Sequence, residues 1–118
     1  MSLAGTYDFT IDQGADLSKN MVWKDSDGDP VDLSGGWTAR MQIRKSLSAV
    51  DVLLELTTEN GGIVLGGAAG TITLVITDTQ SAALSPATLK YDLEMINPAG
   101  TVERLIQGTI TNRPEVTR

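Results

Sequence analysis

The sequence contains no cysteine and no histidine. The first absence excludes disulfides, thiolate metal sites and a cysteine nucleophile. The second removes the commonest general base and the commonest transition-metal ligand, and with them Ser-His-Asp catalysis. Aromatics are scarce: Tyr7, Phe9, Trp23, Trp37 and Tyr91 are all there are. No stretch approaches the roughly 20 apolar residues of a transmembrane helix. The N-terminus has neither a basic start nor an apolar run, so no signal peptide is expected. Basic residues are few, 9 against 15 acids, for a net charge of −6. That balance argues against nucleic acid or an anionic membrane as partner, since both need clustered Lys and Arg.

What charge there is lies unevenly. Residues 1–36 hold seven acids and two lysines, whereas residues 37–118 hold eight acids and seven bases. An acidic face built by the first third of the chain serves solubility or meets a basic partner. At 118 residues the chain is one domain's worth. A chain of that size buries roughly two-thirds of its unfolded surface, enough for one modest core.

The dominant hydrophobic period is two. Tyr7, Phe9 and Ile11 alternate with Asp8, Thr10 and Asp12, and Leu17, Met21 and Trp23 form a second set that Lys19 interrupts. In WTARMQIR, Trp37, Ala39, Met41 and Ile43 share one face, with Thr38, Arg40, Gln42 and Arg44 on the other. VLLELT, residues 52–57, is apolar on both faces and predicts a central strand. Asn60-Gly61 and Gly66-Gly67-Ala68-Ala69-Gly70 read as turns around a short strand at Ile63–Leu65. Ile72, Leu74 and Ile76 alternate next. TDTQSAAL, residues 77–84, predicts one helical turn capped by Thr77 or Asp78 and ended by Pro86. Leu89, Tyr91, Leu93 and Met95 are the next inward set, and Asn97-Pro98-Ala99-Gly100 is a turn. In the last strand the alternation breaks at Leu105-Ile106, and Gly108 permits a bulge or the close approach of another backbone.

Seven to eight short strands with turns every 8–12 residues predict an immunoglobulin-like antiparallel β-sandwich, with a small closed barrel as the alternative. The expectation is a single domain over residues 1–118, with 1–6 and 112–118 as extended arms.

Candidate chemistry is thin. KDSDGDP, residues 24–30, places Asp25, Asp27 and Asp29 at alternate positions around Gly28, which invites a calcium reading. The helix–loop–helix calcium loop needs glycine at position six and a bidentate Glu at twelve. Counting from Asp25, glycine stands at position four and Gly36 at twelve, so a hairpin turn is the better reading. The Gly66–Gly70 stretch lacks the Lys of a phosphate-cradling loop and leads into a strand. Arg40 and Arg44 share a strand face and suggest either an anion site or a solvated surface. All five aromatics fall on inward sets, which leaves few to stack on a sugar. No catalytic residue, metal ligand, cofactor-binding residue or cofactor is assigned.

The run VWKDSDGDPVDLSGGWTARMQIRK resembles a pattern of small tailed-bacteriophage and prophage virion proteins. In it a strand ending in tryptophan meets an acidic glycine turn, a Pro-Val-x-Leu-(Ser/Thr)-Gly segment, an aromatic and a strand ending in Ile-Arg. Trp23, Asp25, Gly28, Pro30, Val31, Leu33, Gly35, Trp37, Met41, Ile43 and Arg44 carry the match. Residues 56–74 and 91–111 resemble later portions of the same pattern. The first segment is also similar to the N-terminal domain of phage baseplate upper proteins, with one extra residue here at Gly35-Gly36. The resemblance implies a non-enzymatic virion component, made in the bacterial host cytoplasm and placed in a tail, baseplate, fibre-adaptor or neck assembly. The partners it implies are other virion proteins and further copies of the chain. A capsid head-decoration protein, or a calcium-dependent or carbohydrate-binding module at the host surface, are the alternatives.

Overall fold

A computed structural model describes residues 5–84, 87–114 and 116. Among the described residues nine strands run in the order β1 (Gly5–Thr6), β2 (Phe9–Asp12), β3 (Leu17–Val22), β4 (Thr38–Arg44), β5 (Leu54–Thr57), β6 (Ile63–Leu65), β7 (Thr71–Ile76), β8 (Thr88–Ile96) and β9 (Val102–Arg113). Helix α1 (Asp78–Ala83) lies between β7 and β8, and a 3-10 turn at Gly67–Ala69 precedes β7. One sheet is ordered β9-β8-β4-β5, with β1 and β2 both alongside β9; the other is β3-β7-β6. This is an all-β sandwich of two sheets.

The inward sets of the two sheets meet as one core. It takes Phe9 and Ile11 from β2, and Met21 from β3. Ala39, Met41 and Ile43 come from β4, while Ile72, Leu74 and Ile76 come from β7. Strand β8 adds Leu89, Tyr91, Leu93 and Met95, and β9 adds Ile106 and Ile110. The alternation in β2, β4, β7 and β8 thus reports the buried face correctly. Helix α1 begins with a capping box. Thr77 accepts from the Gln80 amide, and the Gln80 side chain accepts from the Thr77 amide. Ser81 is fully buried; its hydroxyl accepts from Gly14 N at 3.0 Å and donates to Ala15 O at 2.8 Å. That pair ties the helix to the turn before β3. Pro86, expected to end the helix, lies outside the described residues.

Three expectations need correction. VLLELT does not form a central strand: β5 starts only at Leu54 and lies at the edge of its sheet. Residues apolar on both faces suggested neighbours on both sides, but Val52 and Leu53 belong to the preceding loop. The pairing of β1 and β2 with β9 is parallel, so the sandwich is not antiparallel throughout. The arms are also shorter than expected. Gly5 and Thr6 pair with Ile106 and Gln107, Arg113 pairs with Asp12, and Asn112 is buried. Residues 1–4, 115, 117 and 118 lie outside the described set.

The broken alternation near the C-terminus has its reason in β9. Leu93 pairs with Ile106 but Glu94 with Arg104, so Leu105 is the extra residue of a bulge and both Leu105 and Ile106 are buried. Two residues on, the N-terminal segment crosses Gly108. A Cβ there would stand 2.2 Å from Tyr7 O and 2.6 Å from Asp8 Oδ1. Tyr7 N donates to Gln107 O at 2.9 Å, Thr109 N to Asp8 Oδ1 at 2.8 Å, and the Tyr91 hydroxyl to Tyr7 O. These contacts fasten the first strand run to the sheet.

They also predict an alkaline limit. Burial first, then the Asp8 carboxylate and Tyr7, push the Tyr91 phenol well above its ordinary value of 10.0. The fold therefore prefers the neutral phenol. Its contribution is fully present below the unfolded-state value near 10 and is lost as pH rises from there through the raised folded-state value. Tyr91→Phe is expected to cost about 1 kcal/mol at neutral pH through the lost hydrogen bond. The same change should flatten the fall in melting temperature above pH 10. Thermal melts across an alkaline pH series check both.

Candidate functional site

Four surface features bear on function. The first is the acidic turn. Lys24 bridges Pro30, and Asp25 N donates to Asp29 O at 2.8 Å. Asp25 Oδ1 accepts from both Asp27 N and Asp29 N at 3.0 Å. Gly28 takes the left-handed φ of +85° at the tip. The carboxylate that a calcium reading would need at its first position is therefore a turn-forming acceptor. Asp27 and Asp29 stand exposed beside it. At the other end of this segment Gly35 and Gly36 both have positive φ in the turn before Trp37. Trp23 and Trp37 then meet edge to face, 5.6 Å apart at 88°. Both are half-buried against the core rather than presented as a stacking platform.

The glycine-rich turn serves this same end of the sandwich. Trp23 N donates to Gly70 O and Leu33 N to Gly67 O, each at 2.9 Å. A Cβ on Gly70 would lie 2.9 Å from Trp23 O and 3.0 Å from Val31 O. Gly70 is glycine because another backbone lies against it, and Gly67 because its φ is +63°. Phosphate has no part in that explanation.

The second feature is the outer face of the larger sheet, a shallow depression of about 480 Å³. Arg40 Nε pairs with Glu94 at 2.7 Å, and Arg104 Nε with Asp92 at 3.6 Å. Gln42 Nε2 donates to Glu55 at 2.8 Å. Arg44 donates to Gln42 Oε1 at 2.9 Å and to the carbonyls of Ala49 and Val50 at 2.8 and 3.1 Å. Arg40 and Arg44 are thus each committed within the sheet and its loop, and do not converge on a common anion site. Such exposed pairs contribute at most about 1 kcal/mol each.

The third feature was not singled out in the sequence. The β4–β5 loop presents Leu47 at 85% exposure and Val50 at 88%, with Val52 at 40% and Leu53 at 43%. It is pinned rather than loose. Arg44 holds two of its carbonyls, and Leu53 N donates to Ile43 O at 2.8 Å. Its apolar side chains therefore face solvent from a fixed backbone. The available signal was the excess of apolar residues in VDVLLEL, more than one strand face could bury.

The fourth is the free edge of β5. Asn60, expected only as a turn residue, closes it. Its Oδ1 accepts from Thr57 N and Gly62 N at 2.9 Å, and its Nδ2 donates to Glu55 O at 3.0 Å. A side-chain amide thereby occupies backbone groups that a neighbouring strand would need. At the sheet's other margin Asp12 meets Arg113 at 2.6 Å, and that exposed guanidinium holds the carboxyl below its usual range. Among the described residues no helix is long and apolar enough to cross a membrane.

No family model matches the chain, and a comparison with curated proteins finds none similar to it in sequence.

Proposed function

We propose that the protein is a non-enzymatic structural subunit of a tailed-phage virion, working in a tail, baseplate, fibre-adaptor or neck assembly. The observation that carries this reading is the pinned apolar loop. Leu47 and Val50 are held almost fully exposed on a backbone fixed by Arg44, beside a face of alternating ion pairs. Apolar side chains displayed on a rigid support fit a surface that is buried in a complex. The resemblance of residues 23–44 to phage virion proteins supplies the kind of complex. The mechanism is geometric: a stable core carries contact elements and no chemistry.

Mass spectrometry of purified particles, followed by immunogold labelling, tests the reading. Labelling of the tail or neck supports it. Labelling of the capsid moves the protein to head decoration, and absence from purified virions overturns the proposal. A second expectation concerns the loop. Leu47→Asp with Val50→Asp should shift stability by no more than about 0.5 kcal/mol, because neither side chain is buried in the monomer. Incorporation into particles should nevertheless fail, as read by the protein's abundance in purified virions.

A further inference from the structure

The sandwich guards its strand edges unevenly. The edge of β5 is closed by Asn60. Strand β6 is only 3 residues long. Strand β2 has 4 residues, is separated from β1 by Tyr7 and Asp8, and is flanked by the acid Asp8 and ends on the acid Asp12. Strand β3 is different. It runs 6 residues without proline, and among the described residues only β7 pairs with it.

The direction of its backbone groups follows from the ladder. Trp23 N bonds Gly70 O, and the antiparallel alternation then turns Met21, Lys19 and Leu17 toward β7. The amides and carbonyls of Ser18, Asn20 and Val22 point the other way, where no strand among the described residues meets them. A lysine commonly guards such an edge. Here the Lys19 ammonium folds back over the Tyr7 ring, 5.3 Å from its centroid.

We propose that this edge pairs with the same edge of a second copy, as an antiparallel two-fold pair centred on Asn20. The inference rests on the assembly reading above and names the edge it uses. The register is self-complementary. Asn20 faces Asn20 of the second copy, Ser18 faces Val22, and Lys19 faces Met21 rather than another lysine. A one-residue shift would turn bonded groups away from each other, and centring on Lys19 would oppose like charges. Pairing in this register joins two three-stranded sheets into one of six strands, along about 20 Å of edge.

Sedimentation velocity on the full chain over a concentration series tests the pairing. The wild type is expected to dimerise. Asn20→Asp and Asn20→Lys, each placing like charges across the two-fold, should each lose the dimer while still melting cooperatively as folded monomers, since the bond from the Thr73 hydroxyl to Asn20 Oδ1 is exposed. Mixed one to one, the two variants should recover it as a heterodimer. A wild type that stays monomeric throughout overturns the inference, as does a dimer that survives both substitutions. A dimer that forms only after removal of residues 1–4 overturns it too, because the chain's own N-terminus would then be the occupant. Particle localisation is read independently. A monomeric protein present in virions defeats only the pairing, whereas a dimer absent from virions defeats only the assembly reading.

Discussion

Gly108→Ala is expected to destabilise the protein by about 3–5 kcal/mol, a large share of the roughly 5–15 kcal/mol that holds a typical domain together. The added Cβ would stand 2.2 Å from Tyr7 O and 2.9 Å from Tyr7 C, both backbone atoms that no rotamer change can move aside. The crossing segment must therefore lift from β9. Lifting it breaks the bonds from Tyr7 N to Gln107 O, from Thr109 N to Asp8 and from the Tyr91 hydroxyl to Tyr7 O. It also loosens Phe9 and Ile11, which are buried. The part-buried Tyr91 bond costs about 1–3 kcal/mol when unmade, the exposed Thr109–Asp8 bond less, and each uncovered large apolar side chain about 1.5–3 kcal/mol, less whatever the relaxed strand recovers. Thermal melts should show a fall of roughly 10–20 °C. Hydrogen exchange should show the loss of protection concentrated at residues 7–12. A stability within about 0.5 kcal/mol of wild type would mean that the strand does not cross there.

Leu93→Ala is the second large effect, expected at about 3 kcal/mol. Leu93 is fully buried on β8, paired with Met41 of β4 on one side and Ile106 of β9 on the other. Both flanking strands are held in hydrogen-bonded register, so the site has little freedom to collapse around the lost atoms, and a cavity remains. Denaturant titration should show the midpoint falling with little change in slope, the mark of a stability loss within an unchanged fold. The same truncation at Leu47, which is 85% exposed, should cost almost nothing. The contrast between the two leucines separates core from contact surface without reference to any partner.

Several parts of the structure were legible in the chain because they depend on neighbours only a few residues away. The inward sets at Ala39-Met41-Ile43 and Leu89-Tyr91-Leu93-Met95 follow from period two alone, and every one of those side chains is buried. Thr77 caps its helix because the Gln80 that answers it lies three residues on. The acidic turn at Asp25–Asp29 is local as well, and the glycine spacing that argued against a calcium loop agrees with a carboxylate bonded to its own turn amides. Gly108 and the Leu105-Ile106 break marked the bulge and the crossing, although the identity of the crossing strand came from a segment about a hundred residues away.

Other features were not legible, and they share a cause. VLLELT carried no mark that its last residues would lie at a sheet edge, since periodicity reports which face is buried and not which strand lies alongside. The loop residues Leu47 and Val50 look like any apolar pair until the backbone shows them facing solvent. Asn60 read as half of a turn dipeptide, yet its amide also closes the edge of β5. By itself, then, the sequence determined the all-β class, the inward faces, the turns and the helix cap, because each is set by short-range sterics and hydrogen bonding. Tertiary structure alone decided which strands became edges among the described residues, which edge a side chain closed, and where apolar side chains stayed uncovered. Those depend on pairing between segments far apart in the chain, and the energies that choose such pairings are spread over the whole core.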